Sequence, residues 1–324
     1  MSAGGAAARP GPGDAPARRV LVVKLGALGD FIQALGPMQA IRRHHAGARL
    51  SLLTTPAFAG IARDTGLFDE INPGGRPAWW RVDLLAHLFG WLNGRQFDRA
   101  YDLQTSKRSS LLFHLFMPNI RPEWSGVARG CSHPHANPGR DRMHTVDRQR
   151  EQLRLAGIAA VPDADLSFLS GDAARFGLPA RFCLLVPGGS PDRPAKRWPA
   201  DRYADLARIL CGRGVTPVVL GGPDERALGA EIAGAAGVNL AGRTSLGDVA
   251  ALARLAAGAV GNDTGPMHVV AGVGCPCLVL FSAASDPALC APRSPPGVRP
   301  AIVLERDDLA ALTAGEVAAA MPLR

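Results

Sequence analysis

Arg19 to Leu25 (RVLVVKL) is a β-branched apolar run that breaks at Gly26 and hands over to FIQALGPMQAIRRHH, whose apolar residues recur at helical spacing. A strand, a glycine turn and a helix in that order leave few options, because a strand followed by a crossover helix returns to a parallel neighbour. The same grammar continues. ARLSLLTT reads as a strand, AFAGIARDTG as a helix, FDEINP as a short strand, Trp79 to Asn93 as a Trp-rich helix and FDRAYDLQ as a strand. After the helical HTVDRQREQLRLAG, the stretch from Ile158 to Arg181 is loosened by Pro162, Gly171, Gly177 and Pro179, and the domain boundary is expected there.

FCLLVPGG then restarts the pattern, followed by WPADRYADLARILCGRG, TPVVLGG, PDERALGAEIAGAAG, VNLAG, SLGDVAALARLAAG, AVGND, GPMHVVAGVG and PCLVLFS. The expectation is an α/β chain of two doubly wound domains facing each other, 19–170 and 171–324, behind a disordered tail over 1–18. At 324 residues and 47% hydrophobic, the chain suffices for two cores. The tail lacks the continuous apolar stretch of a secretory signal, and no segment reaches the roughly 20 apolar residues of a membrane span.

The net charge of +8 favours anionic partners, but no run of five or six basic residues marks a nucleic-acid arm, so nucleic acid is not expected. Six cysteines without a CxxC pair fit a reducing cytoplasm. The Cys131-Ser-His-Pro-His cluster has no common zinc spacing, and no metal or other cofactor is expected.

Ligands of doubly wound sheets bind beyond the carboxyl ends of the strands, so the loops there carry the candidates. KLGALGD, Lys24 to Asp30, opens a helix N-terminus suited to negative charge; Asp30 is either its N-cap or a general base in the cleft. The segment lacks GxGxxG, and Thr54-Thr55-Pro56 stands where a dinucleotide enzyme places an acid, which argues against a dehydrogenase. In PGGSPDRPAKRWP, Ser190 offers a hydroxyl and Lys196 with Arg197 offers charge to a diphosphate, unless this is an ordinary basic loop with Trp198 plugging the core.

Asp224-Glu225 at a helix start can accept ribose hydroxyls or simply answer the helix dipole. GNDTGPMH is the tightest cluster. Asp263 ends a strand, Thr264 and Gly265 follow, and His268 falls in the first turn of a helix whose free N–H groups suit a diphosphate. Towards an acceptor, Arg42, Arg43, Lys107 and Arg108 suit phosphates on a lipid-linked saccharide. Trp79, Trp80 and Trp91, on one helix with Leu84, Leu85, Leu88 and Phe89, suit peripheral contact with an inner membrane, or else a buried helix beside solvated arginines.

KLGALGD, PGGS to KRWP, GGPDE, NLAGRTSL and GNDTGPMH, in this order, resemble the bacterial lipopolysaccharide heptosyltransferases, over about Arg19 to the C-terminus. DLQTSKRSSLL, HTVDRQREQLRLAG, the Ser285 to Pro287 SDP and LTAGEVAAAM fall in comparable places. The resemblance implies a GT-B fold of two Rossmann-like domains, the N-terminal one binding the acceptor and the C-terminal one ADP-heptose. It also implies an inverting, metal-independent transfer. Asp30 then falls on the base, Lys196 on the diphosphate contact, Glu225 on the ribose acid, and Thr244, Ser245 and Leu246 beside the adenine, with Asp263, Thr264, Gly265 and His268 on the donor turn. FSAASDP lacks the Gly-Pro-Thr of many relatives, and no donor contact is assigned to it. The alternatives are a sugar-nucleotide epimerase of the same build, which needs no acceptor, and a non-catalytic nucleotide-sugar binder.

Overall fold

Apolar runs without polar interruption become central strands here, because a strand covered by helices on both faces has no solvent side for polar residues. A computed structural model describes residues 17–190 and 192–324. Most of the expected tail, residues 1–16, lies outside the described residues; Arg18 is already tied to the sheet, its amide donating to Asp98 Oδ2 at 2.7 Å.

The first sheet is built from β1 (Arg19–Val23), β2 (Arg49–Leu53), β3 (Glu70–Asn72), β4 (Arg99–Asp102), β5 (Glu123–Gly126) and β6 (His133–Pro134). The second contains β7 (Phe182–Val186), β8 (Thr216–Val219), β9 (Val238–Asn239), β10 (Gly258–Asn262), β11 (Cys277–Phe281) and β12 (Ile302–Glu305). Every pairing is parallel. The spatial orders are β3-β2-β1-β4-β5-β6 and β12-β11-β10-β7-β8-β9, so each half winds outward in both directions from its first strand. The winding reverses between β1 and β4 and between β7 and β10, and those two crevices are where such sheets receive ligands.

Helices of the first half are α1 (Leu28–Gln33), α2 (Leu35–His44), α3 (Pro56–Asp64), α4 (Val82–Gly94), α5 (Lys107–Leu115) and α6 (Thr145–Leu155). Those of the second are α7 (Ala200–Gly212), α8 (Arg226–Ala233), α9 (Leu246–Leu255), α10 (Gly265–Gly272), α11 (Pro287–Cys290) and α12 (Ala314–Ala320). The alternation along β1 sorts the layers. Val20 and Val22 join Phe31, Leu35 and Ile41 of α1 and α2, whereas Leu21 and Val23 join Leu88, Leu92, Leu112 and Trp124 on the other face. The first of these cores continues without a break into Leu184, Val249 and Met267 of the second half. A third core, under α7 and α12, closes the far side of the second sheet.

Two expectations need correction, those for the helix after Gly26 and for Trp79 and Trp80. The single helix expected after Gly26 is two helices, α1 and α2, divided at Ala34. The loosened stretch between the halves is tied down: Arg254 donates to the carbonyls of Leu169 and Leu166, Leu166 and Leu169 are buried, and a Cβ on Gly36 would meet Pro162 O at 2.3 Å. Trp79 and Trp80 precede α4 and are 80% and 66% exposed, so neither shares the helix nor fills a core. Among the described residues, no helix is long and apolar enough to cross a membrane.

Candidate functional site

Two helix N-termini converge from opposite halves. β1 leads into α1 and β10 into α10, and the two helices pack against each other in a crossing that only glycine allows. A Cβ on Gly29 would lie 2.6 Å from the His268 ring, and one on Gly265 2.7 Å from Leu28 Cβ. Around this crossing opens a cleft of about 820 Å³, lined from the first half by Ala27, Gly29 and Asp30. The second half contributes Ser190, Lys196, Asp263, Thr264, Gly265, His268 and Ser285. Both dipoles bring their positive ends to it, and this arrangement suits an anion.

Asp30 is not the N-cap. Ala27 holds that position, and Asp30 at N3 reaches back to accept from the Ala27 amide at 3.3 Å, with the rest of its carboxylate open to the cleft. Beneath the turn lies a buried ionic group. Lys24 donates to Leu103 O at 3.2 Å, and burial lowers its pKa against the attraction of Asp30 and Asp102. Burial raises Asp102 to about 6, although the amides of Thr105 and Gln104 and the Ser109 hydroxyl bond to it.

Across the cleft, Lys196 Nζ lies 2.5 Å from Asp263 Oδ2, which also accepts from Ser285 Oγ at 2.8 Å. Their side chains are 13% and 8% exposed, so the pair is nearly removed from water yet forms part of the wall. Asn262, fully buried, explains why the loop holds this shape. It accepts from the Trp198 amide and Tyr203 hydroxyl, each at 3.0 Å, and donates to Pro187 O at 2.7 Å. Trp198 does plug the core, with Nε1 on Leu312 O at 3.0 Å, and Arg197 turns back to Gly189 O, so of that pair it is Lys196 that lines the cleft, together with the exposed Arg193. Thr264 caps α10 without a side-chain bond, and among the described residues its hydroxyl has no partner. His268 is buried, and burial pushes its pKa down to about 4. It is a neutral ring at neutral pH, with Nδ1 unpartnered among the described residues.

A second pocket of about 320 Å³ adjoins the first through Thr264. Glu225, Thr244, Ser245 and Leu246 line it with Gly188, Gly189, Gly221 and Gly222. The glycines make room for the acid, since a Cβ on Gly188 would stand 2.2 Å from Glu225 Oε1. Glu225 Oε2 accepts from the Gly222 amide at 2.7 Å. Ser245 spends its hydroxyl on capping α9 with Asp248, so it lines the pocket mainly as a helix start.

The sequence-predicted donor residues thus all line two connected pockets, with Asp30 on the opposite wall. The acceptor candidates do not join them. Lys107 and Arg108 open α5 and are exposed, and Arg108 donates to Pro77 O; neither lines the cleft. Arg42 is committed to Asp69 at 2.6 Å and to the Leu67 and Ala48 carbonyls, at the amino-terminal edge of the sheet and away from the cleft. Sequence reasoning missed Asn262, although it quoted GNDTG, and Ser285, which it left unassigned in FSAASDP. It also missed a strap from the second half onto the first. There Gln33 donates to Cys290 O at 3.1 Å, Thr145 to Leu289 O at 3.2 Å and His144 Nε2 to Ala291 O at 3.0 Å, while Arg293 holds Asp147 with two bonds.

Residues 85–298 match the family model described as Glycosyltransferase family 9 (heptosyltransferase). Lipooligosaccharide heptosyltransferase 2 of Haemophilus influenzae is 36% identical over 104 residues, covering 30% of this chain and 30% of that protein. Lipopolysaccharide heptosyltransferase 2 of Salmonella typhimurium is 36% identical over 221 residues, covering 60% of this chain and 62% of the relative, so each alignment spans less than two thirds of the curated protein. Among solved structures, Escherichia coli ADP-heptose lps heptosyltransferase II superposes with a TM-score of 0.71 at 22% identity, covering 93% of this chain and 96% of that one. A glycosyl transferase family 9 protein of Veillonella parvula gives 0.73 at 20%, covering 94% and 95%. These structural likenesses bear on the fold, which is of GT-B type.

Proposed function

The chain belongs to glycosyltransferase family 9, the heptosyltransferases, and from that premise we propose that it moves a heptose from ADP-heptose onto a lipopolysaccharide core or related saccharide. The transfer inverts the anomeric centre and uses no metal. The first half, 19–170, receives the acceptor and the second, 171–324, the donor, in the cytoplasm at the inner membrane. The observation that carries this reading is the single cleft with Asp30 on one wall and Lys196, Thr264 and the α10 N-terminus on the other.

In this reading the adenosine enters the smaller pocket, with Thr244 to Leu246 beside the base and Glu225 accepting from the ribose hydroxyls. The diphosphate meets Ser190, Lys196, Thr264 and the first turn of α10, and the sugar projects towards Asp263 and His268. Asp30 takes the proton of the acceptor hydroxyl as its oxygen attacks the anomeric carbon from the face opposite the leaving group. The bond to the diphosphate breaks with its electrons, and the charge that develops on ADP is met by the Lys196 ammonium and the α10 dipole. Fixed cations and backbone N–H groups supply the neutralisation, so the Asp263 carboxylate serves to orient Lys196.

Calorimetric titration with ADP-, UDP- and GDP-sugars tests the donor, followed by turnover with saccharide acceptors. An ADP-sugar bound at least about tenfold more tightly is expected, a difference of about 1.4 kcal/mol. A preference for a UDP-sugar overturns the heptose donor. Release of nucleotide at the same rate without acceptor overturns the transferase reading in favour of epimerisation.

A further inference from the structure

Apolar side chains are left in water mainly on one face of this protein. Six of the ten large exposed ones among the described residues are Trp79, Trp80, Val82, Leu84, Phe89 and Leu111. Trp79 and Trp80 stand edge to face at 5.6 Å at the entry to α4, 80% and 66% exposed. α4 itself, VDLLAHLFGWLNG, turns Leu88 and Leu92 inward and carries a single formal charge, Asp83, which Arg81 neutralises with two bonds.

Charge frames this patch with one sign. Arg76 lies in the Trp loop, and Lys107 and Arg108 open the neighbouring α5, with Arg108 reaching Pro77 O two residues before Trp79. All three are exposed, and among the described residues none has a carboxylate within ion-pair distance. Indole rings at a headgroup boundary flanked by unpaired cations fit an anionic bilayer, where each Lys or Arg adds to the attraction.

Position decides what such contact would do. The Trp loop follows β3 as the Asp30 turn follows β1, and in a parallel sheet both lie at the carboxyl edge. The loop is wedged against that turn: a Cβ on Gly75 would stand 2.4 Å from Leu25 Cδ2 and 2.6 Å from Thr54 O.

We propose that the Trp79–Trp80 loop, the outer face of α4 and the start of α5 dock this protein on an anionic phospholipid surface, presenting the carboxyl edge of the first sheet to an acceptor anchored in the same bilayer. This deepens the acceptor side of the proposed function and rests on that reading for its purpose, though not for its test.

The test is cosedimentation of the full chain with vesicles of phosphatidylethanolamine and phosphatidylglycerol, against phosphatidylcholine alone, with no donor or acceptor present. The wild type partitions onto the anionic vesicles, and Trp79→Ser/Trp80→Ser weakens partition on the order of a hundredfold with an unchanged melting temperature, since both side chains are solvent-exposed. With a water-soluble acceptor the double variant turns over like the wild type, and with vesicle-borne acceptor it does not. Failure of heptosyl transfer leaves the sedimentation result standing. The proposal is overturned if the wild type ignores anionic vesicles, if the double variant binds them equally, or if light scattering finds a dimer that the double substitution makes monomeric, which would mean that a second copy covers the patch.

Discussion

His268 of α10 lies against the α-carbon of Gly29 on α1, so closely that a Cβ on Gly29 would stand 2.6 Å from its ring. This crossing is where the two halves touch beside the cleft, one residue from Asp30. A methyl group cannot be absorbed by a buried ring without moving a helix, and overpacking of this kind destabilises by about 1–3 kcal/mol. Gly29→Ala is expected to lower the urea midpoint accordingly and to reduce kcat, because α1 carries Asp30 with it. An unchanged kcat would show that the crossing does not set the position of the carboxylate.

The pairing of Lys196 with Asp263 makes two contributions that a variant cycle separates. Removing one partner of a nearly buried pair leaves the other charge without compensation, a loss of about 3–5 kcal/mol. Lys196→Met is therefore expected to lower both stability and affinity for the ADP-sugar. Lys196→Met/Asp263→Asn should regain much of the stability, followed by denaturant titration, yet remain weak for the donor in calorimetry. Donor affinity that returned with stability would remove Lys196 from the diphosphate.

Asp30→Asn keeps an oxygen able to accept from the Ala27 amide, so the start of α1 should survive. Only the basicity is lost. A fall in kcat on the order of 10²–10⁴ is expected, with the donor dissociation constant unchanged. Activity close to wild type would sink the assignment of the base.

The central strands were legible because β7 and β11, and β1 after Arg19, are buried on both faces and therefore read as apolar runs, while β10 (GAVGN) is buried throughout and free of charge up to Asn262. β5 (EWSG), β6 (His133–Pro134) and β12 (IVLE) were not: β5 and β6 carry polar or turn-forming residues at most positions, and β12 is only half-buried at the edge of its sheet. The residues lining the two pockets were legible because backbone geometry made them cluster as motifs: Gly188 and Gly221 are needed where Glu225 enters, and Gly265 where Leu28 crosses. Asp30 was legible as a position but not as a cap, because the choice between N-cap and N3 depends on where α1 begins, at Leu28. The strap from Leu289 to Arg293 was invisible for a different reason. Apart from the Arg293 side chain on Asp147, it bonds through carbonyls, which carry no sequence signal, to partners such as Gln33 and Thr145 more than 140 residues away.

Acidification is expected to act on the interface between the halves. His268 falls from an ordinary 6.5 to about 4 through burial, so the folded state binds fewer protons than the unfolded chain between those values. Its contribution is fully present above pH 6.5 and is lost as pH falls through 4, about 3 kcal/mol in all. His144 works in the same direction. Its Nε2–H donates to Ala291 O in the strap while Nδ1 accepts from the Val146 amide, an arrangement open only to the neutral ring, and burial lowers its pKa. Asp102, raised to about 6 from 3.8, opposes both, gaining stability as pH falls through that window. The wild-type curve alone therefore cannot separate them, but a difference can. Thermal melts at pH 7.5 and pH 5 should show a larger drop for the wild type than for His268→Gln, whose side chain has no proton to take up. Equal drops would mean that His268 titrates at an ordinary value and is reached by water from the cleft.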